Sequence, residues 1–413
     1  MPSSPVKTIE LVAEWLSSQG YNDTLKELTN ESGFPFEPKN EINHQDKISL
    51  EKLVHEHNMR ELAVSMQKLN NEITSFDEWS KVEPEMQLLI QLPDSEKVTA
   101  LRYAGKAHAF KNPVLLIATQ ERNIRVFDVV HGLILHCFQK LPSIVLNICP
   151  VDEDTFVTTN MDGKVYVFHY STDEYEVLEK KHLRFATNVR VWKNKFLVTT
   201  GFDGNVFLYQ KLTEDNDTRL TQQPFQFVKS ISLPNRIDCI EFLEQRDSEL
   251  PFLLVNTHDS PFVETYSVPE LVCVRQTNLN INEDLYVSFN IMDAHICPTK
   301  PQILGLVTDN EPYGRFLAVS NETYKTIADH WTNSPQTKFS QPRFVWRSDA
   351  TGVWMNGDDT VIRGVESKSG REMCVIEGHT APVRCLETVI IKGREHLISG
   401  AQDSTVRIWR LTA

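Results

Sequence analysis

Residues 378–411 read GHTAPVRCLETVIIKGREHLISGAQDSTVRIWRL, and their pattern decides the fold. Alternating runs cover 383–389, 397–399 and 405–409, with turn residues between them. That is the period-2 signature of three antiparallel strands. His379 precedes the first run, Ser399 sits in the second, Asp403 in the next turn and Trp409 in the third. Buried donors and acceptors need partners, and a His–Ser–Asp–Trp set at these offsets satisfies itself across one small sheet. A single such sheet cannot bury both faces, so further copies are expected upstream.

On these residues the stretch resembles a WD-repeat blade, with Gly378 and His379 at its start and Trp409 followed by Arg410 where Trp-Asp is usual. The resemblance implies a β-propeller. The turn-plus-strand signature recurs at 115–128, 156–170, 196–210, 252–268, 303–319 and 352–365, which makes seven blades with the last. Asp162 and Asp203 lie 41 residues apart, each in an Asp-Gly turn between alternating runs. Phe127, Phe168, Tyr209 and Tyr266 replace the third-strand Trp, keeping an aromatic but losing the indole donor. Only the last blade carries all four signature residues. It also stops after its third strand, and the apolar run at 85–92 is placed to supply a fourth and close the ring. A polar insertion at 214–226 is expected as a rim loop of blade three.

Residues 1–35 predict two short helices. Ser4 and Pro5 suit a helix start, Ile9, Val12, Trp15 and Leu16 share a face, Gly20 supplies a stop and Asn22 a cap. Val12, Trp15, Leu16, Gly20, Tyr21, Thr24, Leu28 and Glu31 together resemble the LisH motif. That resemblance implies homodimerisation through paired hairpins, with Val12, Trp15, Leu16, Tyr21, Leu25 and Leu28 at the dimer face. Residues 36–83 are expected as a helical spacer, similar in position to a CTLH segment, with apolar residues in a broken helical period across 46–75. His55 and His57, two apart, point to different faces of a helix rather than to one metal. The propeller is then 84–413.

Composition narrows the function. The chain has 413 residues, a net charge of −14 and 24 % charged residues, which is a globular composition unsuited to nucleic-acid phosphate. Residues 1–83 hold 15 acidic and 8 basic side chains, half of the excess charge in a fifth of the length. Seven cysteines without a CxxC argue against a disulfide framework or a zinc site and suit a reducing, cytoplasmic or nuclear compartment. No run reaches the roughly 18 apolar residues of a membrane span. GxSxG, HExxH, Walker and GxGxxG patterns are absent. His379, Ser399 and Asp403 read as a structural network, not a triad. His295 and Cys297 read as core or loop residues, and Asp359 as the turn residue of blade six.

The expectation is therefore a non-catalytic, homodimeric interaction scaffold without cofactor or metal, binding partner proteins and neither nucleic acid nor membrane. Resemblance to WD-repeat proteins places the partner-binding face at Lys97, Thr99, Val145, Met161, Asn188, Phe202, Arg236, Asp238, His258, Arg343, Asp358, Arg384 and Gln402. Met161 and Phe202 are large apolar residues at turns, and Arg236, Arg343 and Arg384 suggest a basic rim for an acidic peptide. LisH plus WD-repeat proteins include ubiquitin-ligase subunits, transcription and chromatin factors, and dynein regulators. Those remain the alternatives, although the last have more regular repeats than this chain.

Overall fold

The computed structural model describes residues 19–33 and 76–412 except 213–223, 246–247, 261 and 280–288, together with Ile9, Val12, Ala13, Trp15, Leu16 and Ser17. The chain forms two compact units, Met1–Ser75 and Phe76–Ala413.

In the first unit the described residues from 9 to 17 are helical, and α1 (Asn22–Ser32) follows. Gly20 and Gly33 both take left-handed backbone, with φ of 79° and 65°. These are the positions where a chain leaving a helix needs a residue without a Cβ. The cap of α1 falls on Tyr21, not Asn22, and no side chain caps it. Trp15 and Tyr21 pack ring to ring at 5.9 Å. Leu16 is buried within the chain, Val12, Trp15, Leu25 and Leu28 are half-buried, and Tyr21 is exposed. The helices expected over 46–75, with His55 and His57, lie outside the described residues.

The second unit is a ring of seven four-stranded antiparallel sheets. Blades one to six span 98–138, 145–177, 186–232, 237–278, 291–335 and 344–376. Each expected hairpin becomes the second and third strands of one blade. The second strands Val114–Thr119, Thr155–Asn160, Phe196–Gly201 and Ile303–Thr308 are buried at every residue, because each sheet packs on both neighbours. Blade seven takes its outer strand from the start of the unit. Glu83–Gln91 pairs antiparallel with Thr405–Thr412, from Glu83 opposite Thr412 to Gln91 opposite Thr405. Ile90 and Leu92 then join Val98, Leu101, Val389 and Ile408 in the core between blades seven and one. Six further cores fill the other interfaces between neighbouring blades.

The spacer boundary at 83 is corrected: residues 76–82 belong to the propeller unit. Phe76 is buried in the core between blades five and six. Trp79 lies edge-on to Trp354 at 5.6 Å, beneath the Arg347 guanidinium at 4.5 Å. Two glycines make its slot. A Cβ on Gly352 would lie 2.3 Å from Trp79 Cζ3, and one on Gly364 would lie 2.7 Å from Cη2. The rim insertion is shortened as well, since the strand Phe225–Ser232 begins before 226 and buries Phe225. No described helix is long and apolar enough to cross a membrane.

Candidate functional site

The signature residues of blade seven form one buried chain of hydrogen bonds. The Trp409 indole N–H donates to Ser399 Oγ at 3.0 Å, and Ser399 lies 2.8 Å from His379 Nε2. His379 Nδ1 lies 3.0 Å from Asp403. The network assigns the proton to Nδ1, so that Nε2 accepts from the serine and the carboxylate from Nδ1–H. Burial holds His379 below its ordinary pKa, in keeping with a neutral ring. Burial pushes the Asp403 carboxyl up, but bonds from Thr405, the Thr380 N–H and His379 together outweigh it and leave the group lowered. Ser399 is fully enclosed, so the serine, histidine and aspartate tie the entry loop to the turn and present nothing to a substrate.

Blade three contains the same device, which the sequence analysis missed. His182 Nδ1 lies 3.0 Å from Asp203, its Nε2 lies 3.1 Å from Thr199 Oγ1, and the Leu183 N–H donates to Asp203. The signal was available: His182 stands 21 residues before Asp203, against 24 from His379 to Asp403. Other blades fasten the same loop differently. Ser143 accepts from the Asp162 N–H, Asn290 donates twice to Asp309, and Thr337 donates to Asp358.

These tethers hold the loops around a central channel, which opens into a cavity of about 820 Å³. Thr99, Met161, Asn188, Phe202, Arg236, Asp238, His258, Arg343 and Arg384 line it. Lys97, Val145, Asp358 and Gln402 do not. Val145 is corrected to a core residue between blades one and two, because the first position of that inner strand turns into the sheet interface. Lys97 instead donates to the Gln402 carbonyl at 3.3 Å. Asp358 is engaged by Thr337 and Ser340. Asn188 borders the cavity, yet its side chain is buried and donates to Thr200 and to the Ile237 carbonyl, which locks blade three to blade four.

The basic rim is also corrected, because each of its arginines has an acidic neighbour. Arg236 Nε donates to Asp238 at 3.0 Å, Arg343 lies 3.7 Å from Asp293, and Arg384 lies 3.8 Å from Asp358. Deeper in the channel Arg102 pairs with Glu387 and Arg190 with Glu241, each from an adjacent blade. His295, read as a core or loop residue, stands between Asp293 at 3.2 Å and Glu241 at 3.7 Å. Burial pushes the Asp293 carboxyl up, but His295 and Arg343 together outweigh it and leave the group lowered. For Glu387 and Asp238 burial prevails over their cationic partners and the carboxyls are raised. The channel charges thus act mainly on one another, stitching blade to blade. Among the described residues no group of three or more His, Cys, Asp or Glu is arranged to hold a metal.

The mouth is different. Met161 and Phe202 occupy the matching turns of blades two and three, and each donates its N–H back to its own blade's entry loop, at Ile144 and Phe185. Phe185 packs on Phe202 at 5.7 Å, and the Arg236 guanidinium covers Phe202 at 5.1 Å. Phe339, 84 % exposed, reaches the cavity from the loop between blades five and six. Leu183, 86 % exposed, stands on the fastened loop beside Phe185. Neither Leu183, Phe185 nor Phe339 was named from the sequence, since their loops carry no turn signature.

Comparison with curated proteins finds no match. A family model described as a beta-propeller domain matches residues 69–410, which takes in all seven blades and the closing strand. The chain belongs to this beta-propeller domain family.

Proposed function

We propose that this protein is a non-catalytic interaction scaffold whose WD-repeat-type propeller holds a partner protein at the channel mouth. The observation that carries the proposal is the clustering of Met161, Phe185, Phe202 and Phe339 around one cavity, on loops fastened by polar tethers. Large apolar side chains gathered around one mouth on an ordered frame are a usual mark of a protein contact. The His–Ser–Asp–Trp chain of blade seven and the His–Thr–Asp set of blade three support the WD-repeat assignment. A LisH-type hairpin at 1–35 would pair two chains and raise the effective concentration of the second propeller. Exposed Tyr21 and half-buried Trp15 support that part.

Two experiments test the proposal. Proteins captured by the full chain are compared with those captured by a Phe202→Asp variant and by a control altered on the outer rim at Lys229. Loss of the same captured proteins with Phe202→Asp alone supports the mouth as the contact, whereas identical sets from all three refute it. The solution mass of the full chain is compared with that of a Tyr21→Glu variant. A dimer turned into a folded monomer supports the hairpin pairing, and a wild-type monomer ends it.

A further inference from the structure

We propose that the blade-two and blade-three side of the mouth is an anchor site for a linear protein segment carrying one large apolar side chain flanked by acidic residues. This rests on the scaffold reading and adds the chemistry of the partner.

The loop carbonyls of His182 and Arg184 lie 2.2 and 2.6 Å from where a Gly163 Cβ would stand, so the blade-three loop sits directly on the turn that carries Met161. Gly163 has φ of 78°, and the close approach leaves no room for a side chain. That loop carries Leu183 and Phe185, and Phe185 packs on Phe202 at 5.7 Å. Met161, Phe185 and Phe202 line one cavity, with Leu183 on the same loop, so the arc of apolar side chains is drawn from two blades.

A leucine that is 86 % exposed on a fraying loop means little, but this one follows His182, which is wholly buried and held at both ring nitrogens. The Leu183 N–H is itself bound to Asp203. The chain holds an apolar side chain out in water on an ordered frame, which favours a partner that covers it with little further ordering.

Arg236, Arg343 and Arg384 each have a carboxylate within 4 Å, so less of their charge is left for a ligand. On the arc's own loop Lys181 and Arg184 are exposed, and neither forms an ion pair with any described residue. The exposed acids of the rim, Asp259 and Glu311, belong to blades four and five and not to this loop. Two unpaired cations beside an apolar arc, in a chain of net charge −14, select acidic residues next to the anchoring side chain.

The test uses the full chain and three fluorescein-labelled nine-residue peptides. One has a central phenylalanine among glutamates, the second has alanine at its centre, and the third has lysines in place of the glutamates. The first is expected to bind at least about tenfold tighter than either of the others. Phe202→Asp and Leu183→Asp should each abolish that preference. Leu183→Asp lies at an exposed position and guards against mere loss of fold, checked by circular dichroism. Arg184→Glu should move the preference toward the lysine-flanked peptide. Equal affinities, no binding of any peptide up to millimolar concentration, or indifference to Leu183→Asp would overturn the proposal. If the peptides fail while Phe202→Asp still loses captured proteins, the mouth remains a contact and only the segment chemistry falls. If the capture sets are unchanged too, both fall.

Discussion

Trp79 offers the sharpest test of how the ring is secured. The ring is half-buried, edge-on to Trp354 and covered by the Arg347 guanidinium, and its backbone N–H donates to Glu366 at 2.7 Å. Removing a fully buried tryptophan costs about 3–5 kcal/mol, and partial exposure brings Trp79→Ala to about 2–3 kcal/mol with its aromatic and cationic contacts included. With a urea dependence of about 3 kcal/mol per molar, the unfolding midpoint should fall by about 0.7–1 M. Far-ultraviolet circular dichroism reads this without relying on tryptophan fluorescence. The slot supplies a second arm. A Cβ on Gly364 would meet Trp79 at 2.7 Å and Trp354 at 2.8 Å, so Gly364→Ala overpacks the site by about 1–3 kcal/mol. Once Trp79 is alanine, one of the two clashes is gone, and the double variant should be about 1 kcal/mol more stable than the sum of the single changes predicts. Additivity of the two changes, or a Trp79→Ala midpoint equal to wild type, would refute the slot as a structural lock.

Other perturbations probe the tethers, the closure and the thiols. Ser399→Ala strands the Trp409 indole and His379 Nε2 together and should cost about 2–3 kcal/mol in urea unfolding, whereas Thr199→Val strands only His182 and should cost about half as much. His379 is lowered from 6.5 in the folded chain, so the unfolded chain takes up its proton first and stability falls as pH drops below about 6.5. His379→Gln should lessen that slope between pH 7.5 and 5.5. Asp403 and Asp203 are both lowered from 3.8, so their contribution is complete above that pH and is lost only as pH falls below it. Ile90→Asp places a charge in the core between blades seven and one, and hydrogen exchange should show residues 405–412 losing protection before the other blades. Of the seven free thiols, exposed Cys273 should react first with iodoacetamide, and buried Cys239 and Cys297, both raised by burial, last.

Much of the ring was legible in the chain because its signals are local. Asp162-Gly163 and Asp203-Gly204 mark hairpins within a few residues, and the period-2 runs beside them place the second and third strands of each blade. The apolar run before blade one pointed to its unpaired partner at the C-terminus. The blade-three tether was readable and went unread: the stretch from His182 to Asp203 is three residues shorter than its counterpart in blade seven. Candidate site residues fared unevenly for the same reason: a turn position can be counted along the chain, but its surroundings cannot. Met161 and Phe202 came to the mouth, whereas Val145 turned into a blade interface.

The sequence alone determined the repeat, pointed to seven copies and to the missing outer strand, and set out the chemistry of the blade-seven network, all of which depend on spacing along the chain. Tertiary structure decided what distant residues do to one another. Arg236 has its partner two residues away, but Arg102 meets Glu387 across the ring's closure, so the charge left free at the mouth is known only once every pairing is in place. Trp79 is bound by glycines at 352 and 364, more than 270 residues further along, and no local pattern marks that slot. Met161, Phe185 and Phe202 meet at one mouth because the blade-three loop lies across the turn of the preceding blade. That contact needs the glycine at 163, but which backbone comes to lie against it is decided only when the neighbouring blade packs beside it.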